Sequence, residues 1–289
     1  MATVLLNQET RAVVQGITGQ VGQAQTHWML EAGTRLVAGV TPGRHGQQVE
    51  GLPVYDTVAE AVQEKEANAS VIFVPAAFAR DAAFEAIDAG LRLIVIVTEH
   101  IPMRDTMEIK TRARIAGTTV IGPNCPGIFV PGVGKLGIMP ASIFRKGSIG
   151  IVGRSATLSY EVIANLTEAG LGQTATVGIG GDPVVCTEFT LVLKLFEADT
   201  ATKGVVLVGE IGGSAEEQAA EFIATMTKVV VALIAGRAVP PGRRFGHAGA
   251  IVRAGGGGAQ QKIEALYKAG ASIANTPSEI PALLKARLG

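Results

Sequence analysis

Short continuous apolar runs, each about one strand long, recur along this chain between stretches where apolar residues return every three or four positions. In the N-terminal half the runs fall at 12–15, 36–40, 70–74, 93–97 and 119–121. Runs that are apolar almost throughout, rather than alternating, read as strands buried on both faces. Between them, helical spacing is found in a segment that runs to Ala32 and at 58–66, 79–89 and 103–116. This strand–helix alternation predicts a parallel, doubly wound sheet with right-handed crossovers. A glycine- and proline-rich passage, 123–147, breaks the rhythm and is expected to be a linker. The scheme then repeats, with strands at 149–152, 174–178, 205–208 and 229–234 and helices at 158–169, 189–197, 215–226, 260–269 and 277–288. Two α/β domains are expected, 1–122 and 148–289, each opening on a glycine-rich turn.

Composition narrows the function classes. The 289 residues suffice for two domains with cores of their own. Lys+Arg and Asp+Glu are both 25, so no net field recruits nucleic acid or a membrane surface. Mean hydropathy is +0.34, high for a lone soluble domain, as doubly buried strands or a large subunit interface would produce. No apolar run approaches the ~20 residues of a membrane span, and the start, Met1-Ala2-Thr3-Val4, gives no sign of a secretion signal. Cys125 and Cys186 lie far apart, fitting a reducing, cytoplasmic compartment, and the four histidines are scattered, so no metal site is expected.

The candidate chemistry sits where strands end. Gly16-x-x-Gly19-x-x-Gly22 follows the first strand and opens a helix, so backbone N–H groups can meet a phosphate. The spacing is not GxGxxG. The second strand ends in Thr41-Pro42-Gly43-Arg44 rather than in the acid that an NAD ribose would need. Arg44 and His45 suit a further phosphate, as in NADP or coenzyme A. Val97-Thr98-Glu99 and Gly122-Pro123-Asn124-Cys125-Pro126-Gly127 end strands on the same edge. Cys125 can be read as a nucleophile, but a small buried thiol is the commoner case.

In the second half, the apolar run 229–234 leads into Pro240-Pro241-Gly242-Arg243-Arg244-Phe245-Gly246-His247-Ala248-Gly249-Ala250. His247 is thereby placed on a loop at a strand's carboxyl end, with small neighbours that leave the ring uncovered and arginines to attract an anion. Gly153-Arg154-Ser155-Ala156-Thr157 and Gly209-Glu210-Ile211-Gly212-Gly213-Ser214 also link strands to helices. Ser155 and Thr157 hydroxyls, with the N–H groups of that turn, can grip an anion. Glu210 can orient an imidazole or cap the helix near Ala215, which Ser214 would do better. Ser155 as a hydrolase nucleophile is the rival reading, but the turn lacks the second glycine of the GxSxG elbow.

Together the motifs Gly16-Ile17-Thr18-Gly19, Gly39-Val40-Thr41-Pro42-Gly43, Ile121 to Gly127, Gly178 to Pro183, Gly209 to Gly213 and Gly246 to Ala250 resemble, in order along essentially the whole chain, the α subunits of succinate–CoA ligases. The resemblance implies an N-terminal Rossmann-like CoA-binding domain and a C-terminal flavodoxin-like ligase domain. It implies that His247 carries phosphate with Glu210 as its partner. Thr18, Gly19, Gln20, Val21, Arg44, Val97, Thr98 and Glu99 would line coenzyme A, and Tyr160 would approach the carboxylic acid. A separate ATP-grasp β subunit would hold ATP or GTP with Mg²⁺ in a heterodimer or heterotetramer. The acid would be succinate, with malate or another dicarboxylate, or a non-catalytic CoA-binding module, as alternatives. The chain departs from the family pattern at Arg44-His45, at Gly153 and Ala156, at Ala141-Ser142 and at Val185-Cys186.

Overall fold

The computed structural model describes residues 5–239, 246–251 and 257–289. The chain divides into two compact units: Leu5–Met139 with Val184–Thr187, and Pro140–Pro183 with Glu188–Gly289.

The first unit contains β1 (Ala12–Gln15), α1 (Gln20–Glu31), β2 (Leu36–Val40), β3 (Gln48–Val49), β4 (Leu52–Tyr55), α2 (Val58–Lys65), β5 (Ala69–Ile72), α3 (Ala76–Asp88), β6 (Leu93–Ile96), α4 (Met103–Ala116), β7 (Thr119–Ile121), β8 (Gly127–Val130) and β9 (Gly134–Gly137). Its main sheet has the order β3-β4-β2-β1-β5-β6-β7. All pairs are parallel except the short β3–β4 ribbon. The strands β1, β5 and β6 are buried at every position, as continuous apolar runs require. The chain builds outward from β1 in one direction, then returns to its other side with β5. That reversal makes the carboxyl end of β1 the switch point where open α/β sheets bind ligands. The helices have local reasons to start: Thr57 and Glu60 form a reciprocal capping box for α2.

The second unit contains β10 (Lys146–Gly153), α5 (Ala156–Glu168), β11 (Gln173–Gly178), α6 (Phe189–Ala198), β12 (Gly204–Glu210), α7 (Ala215–Ile223), β13 (Val229–Ala235), α8 (Ala259–Lys268), β14 (Ser272–Ala274) and α9 (Ile280–Leu288). Its strands run β14-β13-β12-β10-β11, all parallel. In chain order this is the 2-1-3-4-5 arrangement of flavodoxin-like folds, with its switch point between β10 and β12. Val206, Val208, Val231 and Leu233 pack with Ile149, Ile151, Val162 and Leu166 into one core cluster. Each such side chain contributes roughly 1.5–3 kcal/mol on burial.

Three expectations need correction. The passage 123–147 is not a bare linker, because it holds the antiparallel β8–β9 hairpin and the start of β10. Its glycines mark close strand approach: a Cβ on Gly127 would lie 1.9 Å from the Leu136 carbonyl oxygen. The edge strands β3 and β4 and the three-residue β14 were not expected at all. Element ends also shift: the strand expected at 70–74 is 69–72, the helix at 215–226 stops at 223, and 277–279 forms a 3₁₀ turn before α9. No described helix is long and apolar enough to cross a membrane.

Candidate active site

In the first unit, the residues expected to hold a nucleotide line up on the carboxyl ends of β1, β2 and β6. β1 leads into Gly16, whose N–H donates to the Val40 carbonyl at 2.8 Å and whose carbonyl accepts from Gly19 at 3.1 Å. A Cβ on Gly22 would stand 2.2 Å from the Gly16 oxygen, so this crossing of turn and helix requires glycine. Gly19 precedes α1 without any side-chain cap, and Gln20 and Val21 are exposed. A helix start of that kind offers first-turn N–H groups and partial positive charge to a phosphate.

The Thr18 hydroxyl donates to Thr41 Oγ1 at 3.2 Å, joining the turns after β1 and β2. Thr98 donates to the Val74 carbonyl at 2.7 Å, and Val97 N–H to the Ile72 carbonyl at 3.3 Å, while Glu99 is exposed. The side chain of Arg44 is exposed, and its backbone N–H and that of His45 donate to Asp56 Oδ1 at 3.0 and 3.1 Å. An acid therefore does reach the turn after β2, arriving from the end of β4 where the sequence pattern did not reveal it. Its oxygen is occupied by those two backbone donors. Cys125 is buried and its thiol donates to the Ile96 carbonyl at 3.3 Å, as the small buried thiol of the preferred reading would. Cys186 sits in the returning segment, where burial pushes its thiol up to about 12.

In the second unit, the carboxyl ends of β10 and β12 bring Arg154, Glu210 and His247 together. Glu210 is the last residue of β12, in register with Ala235 of β13. Its Oε2 lies 2.7 Å from His247 Nδ1. Its Oε1 lies 3.3 Å from Arg154 Nε, an ionic contact between side chains only 6% and 7% exposed. Arg154 is fixed in turn, because its guanidinium donates to the Gly180 and Asp182 carbonyls at 3.3 and 2.6 Å. His247 is half-buried, so one edge of the ring remains accessible. Gly181 lies close against that ring: a Cβ there would be 2.5 Å from His247 Cγ.

The hydrogen bond to Glu210 raises the His247 pKa above the usual imidazole value; burial opposes it, the Glu210 charge adds, Arg154 opposes and Asp182 adds. A carboxylate on Nδ1 selects the tautomer in which Nε2 carries the lone pair. Such a pair can present Nε2 as a nucleophile and then neutralise the ring once it is substituted.

Ser155 caps α5, accepting from the Leu158 N–H at 3.4 Å, and lies 3.4 Å from Thr157 Oγ1. This cap places Ser155, Ala156 and Thr157 at a helix start on the edge that carries Arg154. Tyr160 lies one turn further on, partly buried against the core cluster. Ser214 precedes α7 but makes no side-chain cap. Glu210 does not cap that helix either, since its carboxylate oxygens face His247 and Arg154, while its backbone N–H donates to Glu216 Oε1 at 3.1 Å. Arg243 and Arg244, expected to lend charge beside His247, lie outside the described residues. Sequence reasoning did not single out Arg154, Gly181, Glu216 or Lys262 as site residues. The signal for Arg154 was its place in a glycine-led strand–helix turn.

The family described as the CoA binding domain matches residues 7–100, and the CoA-ligase family matches residues 152–272. Subunit alpha 2 of the ADP-forming succinate–CoA ligase of Archaeoglobus fulgidus is 56% identical over 281 residues, 97% of this chain and 98% of that protein. The alpha subunit from Methanothermobacter thermautotrophicus is 57% identical over 286 residues, 99% of this chain and 97% of that protein. Among solved structures, ATP citrate lyase from Methanothrix soehngenii, in complex with citrate and coenzyme A, superposes with a TM-score of 0.88 at 25% identity. The match covers 99% of this chain and 50% of that longer one. Identity above one half, extending over nearly the full length of both curated relatives, shows that the chain belongs to the family of succinate–CoA ligase α subunits.

Proposed function

We propose that this chain is the α subunit of an enzyme that joins succinate to coenzyme A, reversibly, at the expense of a nucleoside triphosphate. The observation that carries the reading is the 2.7 Å contact between His247 Nδ1 and Glu210, on a half-exposed ring at the carboxyl edge of a parallel sheet. The names of the curated relatives and the two family matches supply the substrates.

The reaction runs as a relay of three displacements. His247 Nε2 attacks the γ-phosphorus of ATP or GTP; the N–P bond forms and the bond to the nucleoside diphosphate breaks. Glu210 balances the positive charge that the ring then carries, and Arg154 Nε holds its other oxygen at 3.3 Å. A succinate carboxylate oxygen next attacks phosphorus, releasing the neutral imidazole and leaving an acyl phosphate. The CoA thiolate attacks the acyl carbon and inorganic phosphate departs, the thiol proton passing to solvent. Each displacement expels a good leaving group: the nucleoside diphosphate, then the neutral imidazole, then inorganic phosphate.

In the first unit, the uncapped start of α1 at Gly19, Gln20 and Val21, with Thr18, Arg44 and the Val97–Glu99 turn, suits the phosphates of coenzyme A. The start of α5 at Ser155, Ala156 and Thr157 suits the transferred phosphoryl group, and Tyr160 the acid. Nucleotide and Mg²⁺ are assigned to an ATP-grasp β subunit, so turnover needs both chains.

The test is to incubate the purified α/β pair with γ-labelled nucleotide and Mg²⁺, without acid or CoA, and to map the label. It should be lost in acid and persist in alkali, as an N–P bond does. His247→Asn should abolish labelling and leave CoA binding unchanged. Label on Ser155, or turnover by the His247→Asn pair, would overturn the relay.

A further inference from the structure

Beneath the His247–Glu210 pair lie two charged side chains that the relay does not use. Glu216, in the first turn of α7, and Lys262, in α8, are both wholly enclosed, with 0% side-chain exposure. Lys262 Nζ is ion-paired with Glu216 Oε2, donates to the Gly212 carbonyl at 2.8 Å and lies 3.6 Å from Glu217 Oε2. The other oxygen of Glu216 accepts the backbone N–H of Glu210 at 3.1 Å. The turn that begins at Glu210 is therefore held at both ends: by its first N–H, and by the carbonyl two residues on. Gly212 N–H adds a bond to the Gly257 carbonyl at 2.8 Å. The fit is close, since a Cβ on Gly209 would lie 2.7 Å from Glu216 Cγ.

Stability is a poor reason to keep such a pair. Desolvation of two charges commonly cancels their attraction, and apolar replacements of similar volume are often neutral or stabilising. What these charges supply, and a hydrocarbon cannot, is directed hydrogen bonding to the backbone of residues 210 and 212. Glu210 is where β12 stops pairing with β13, so sheet hydrogen bonds no longer define the path of the chain beyond it.

We propose that Glu216 and Lys262 are positioning residues, which fix the backbone of Glu210 and Gly212 so that the Glu210 carboxylate meets His247 Nδ1. Their effect on phosphoryl transfer rests on the relay proposed above; their effect on the imidazole does not. Among the described residues, the charged groups that face the ring are Glu210 from β12, Arg154 from the turn after β10 and Asp182 from the loop after β11. Only the first of them is held by the buried pair.

The experiment compares Glu216→Gln with Glu216→Met in the full chain. The two side chains have similar shape, but only the amide keeps an acceptor for the Glu210 N–H. Lys262 retains Glu217 as counter-ion in both. A double variant, Glu216→Met with Lys262→Met, removes the charges together. His247 is followed by NMR of labelled imidazole, for its titration midpoint and tautomer, and by the rate at which the β partner phosphorylates it.

Glu216→Gln should keep the raised midpoint and most of the rate. Both methionine variants should move the midpoint toward the ordinary ~6.5 and slow phosphorylation by roughly 10–100-fold, the equivalent of one charge-assisted hydrogen bond. CoA affinity should not change. A cooperatively melting Glu216→Met chain with wild-type midpoint and tautomer would overturn the proposal, as would a Glu216→Gln chain as impaired as Glu216→Met. If wild-type His247 accepts no phosphate, the relay falls, while the imidazole readout still decides the positioning role.

Discussion

Gly181→Ala should disable His247 without touching it chemically. Gly181 does not need a left-handed backbone, so alanine is allowed there by conformation; the conflict is with the ring. The added methyl would sit 2.5, 2.6 and 2.8 Å from Cγ, Cδ2 and Nδ1 of His247. Carbon atoms in van der Waals contact stand at about 3.5–4.0 Å, so the imidazole must retreat by about 1 Å. The 2.7 Å contact between Nδ1 and Glu210 cannot survive that movement, because Glu210 is pinned by Arg154 and by its strand. Losing a charge-assisted hydrogen bond costs about 1.5–3 kcal/mol, and a displacement of about 1 Å at a reacting group can cost about a hundredfold in rate. Phosphorylation of Gly181→Ala by the β partner should therefore be slower by roughly two orders of magnitude. The half-exposed ring can swing toward solvent, so the melting temperature should fall little. The measurement is single-turnover labelling under rapid quench, with CoA calorimetry on the same preparation to show an intact first unit. A wild-type labelling rate would refute the reasoning, since it would mean that the ring is not held between Gly181 and Glu210.

Three further outcomes are expected. The acid limb of the phosphorylation pH profile should lie above the ordinary histidine value, because the Glu210 hydrogen bond favours the charged ring and only the neutral ring attacks. In Glu210→Gln the limb should move down; and since a raised histidine pKa stabilises the fold most below the unfolded value and loses that effect as pH rises through the folded one, the variant's deficit in melting temperature should shrink with rising pH. An unmoved limb would remove Glu210 as the cause. Arg44→Glu should weaken CoA by about 1.5–3 kcal/mol by calorimetry while leaving labelling of His247 intact, and equal loss of both would show a folding role instead. Lys135, buried in β9 with Nζ donating to the Met139 carbonyl at 2.9 Å, has its pKa lowered by burial to about 8, against a weaker upward pull from Glu31. Stability should therefore rise between pH 8 and 10.5 by up to ~3 kcal/mol, and Lys135→Met should melt higher than wild type at pH 7 and lack that rise; a lower melting temperature at pH 7 would contradict this.

How much of this was legible depends on whether the signal was local. The strands β1, β2, β6, β12 and β13 could be read because a doubly buried strand is apolar at nearly every position, and that needs no knowledge of its neighbours. β4 could not, because Pro53 within Leu52–Tyr55 argues against a strand until the chain is seen to place it beside a two-residue edge. The β8–β9 hairpin was masked by Gly127, Gly134 and Gly137. Glycine signals a loop in one dimension, yet here each one lets another backbone come close.

The same divide runs through the site. Glu210 and His247 announced themselves because small residues flank them at the ends of apolar runs, where packing has no use for a charge. Arg154 stood in a visible turn, but what it grips comes 26 to 56 residues later, as the Gly180 carbonyl and Glu210. Glu216 and Lys262 gave no signal, because a glutamate in the first turn of a helix and a lysine within another are ordinary solvent-facing residues by pattern. Folding brings them together across 46 positions and encloses both. A buried charge is identified by what surrounds it, and that enclosure is built from α7, α8 and the end of β12. Glu210 and His247 were therefore readable from the chain, while the charges that bond the backbone of residues 210 and 212 became visible only in the folded unit.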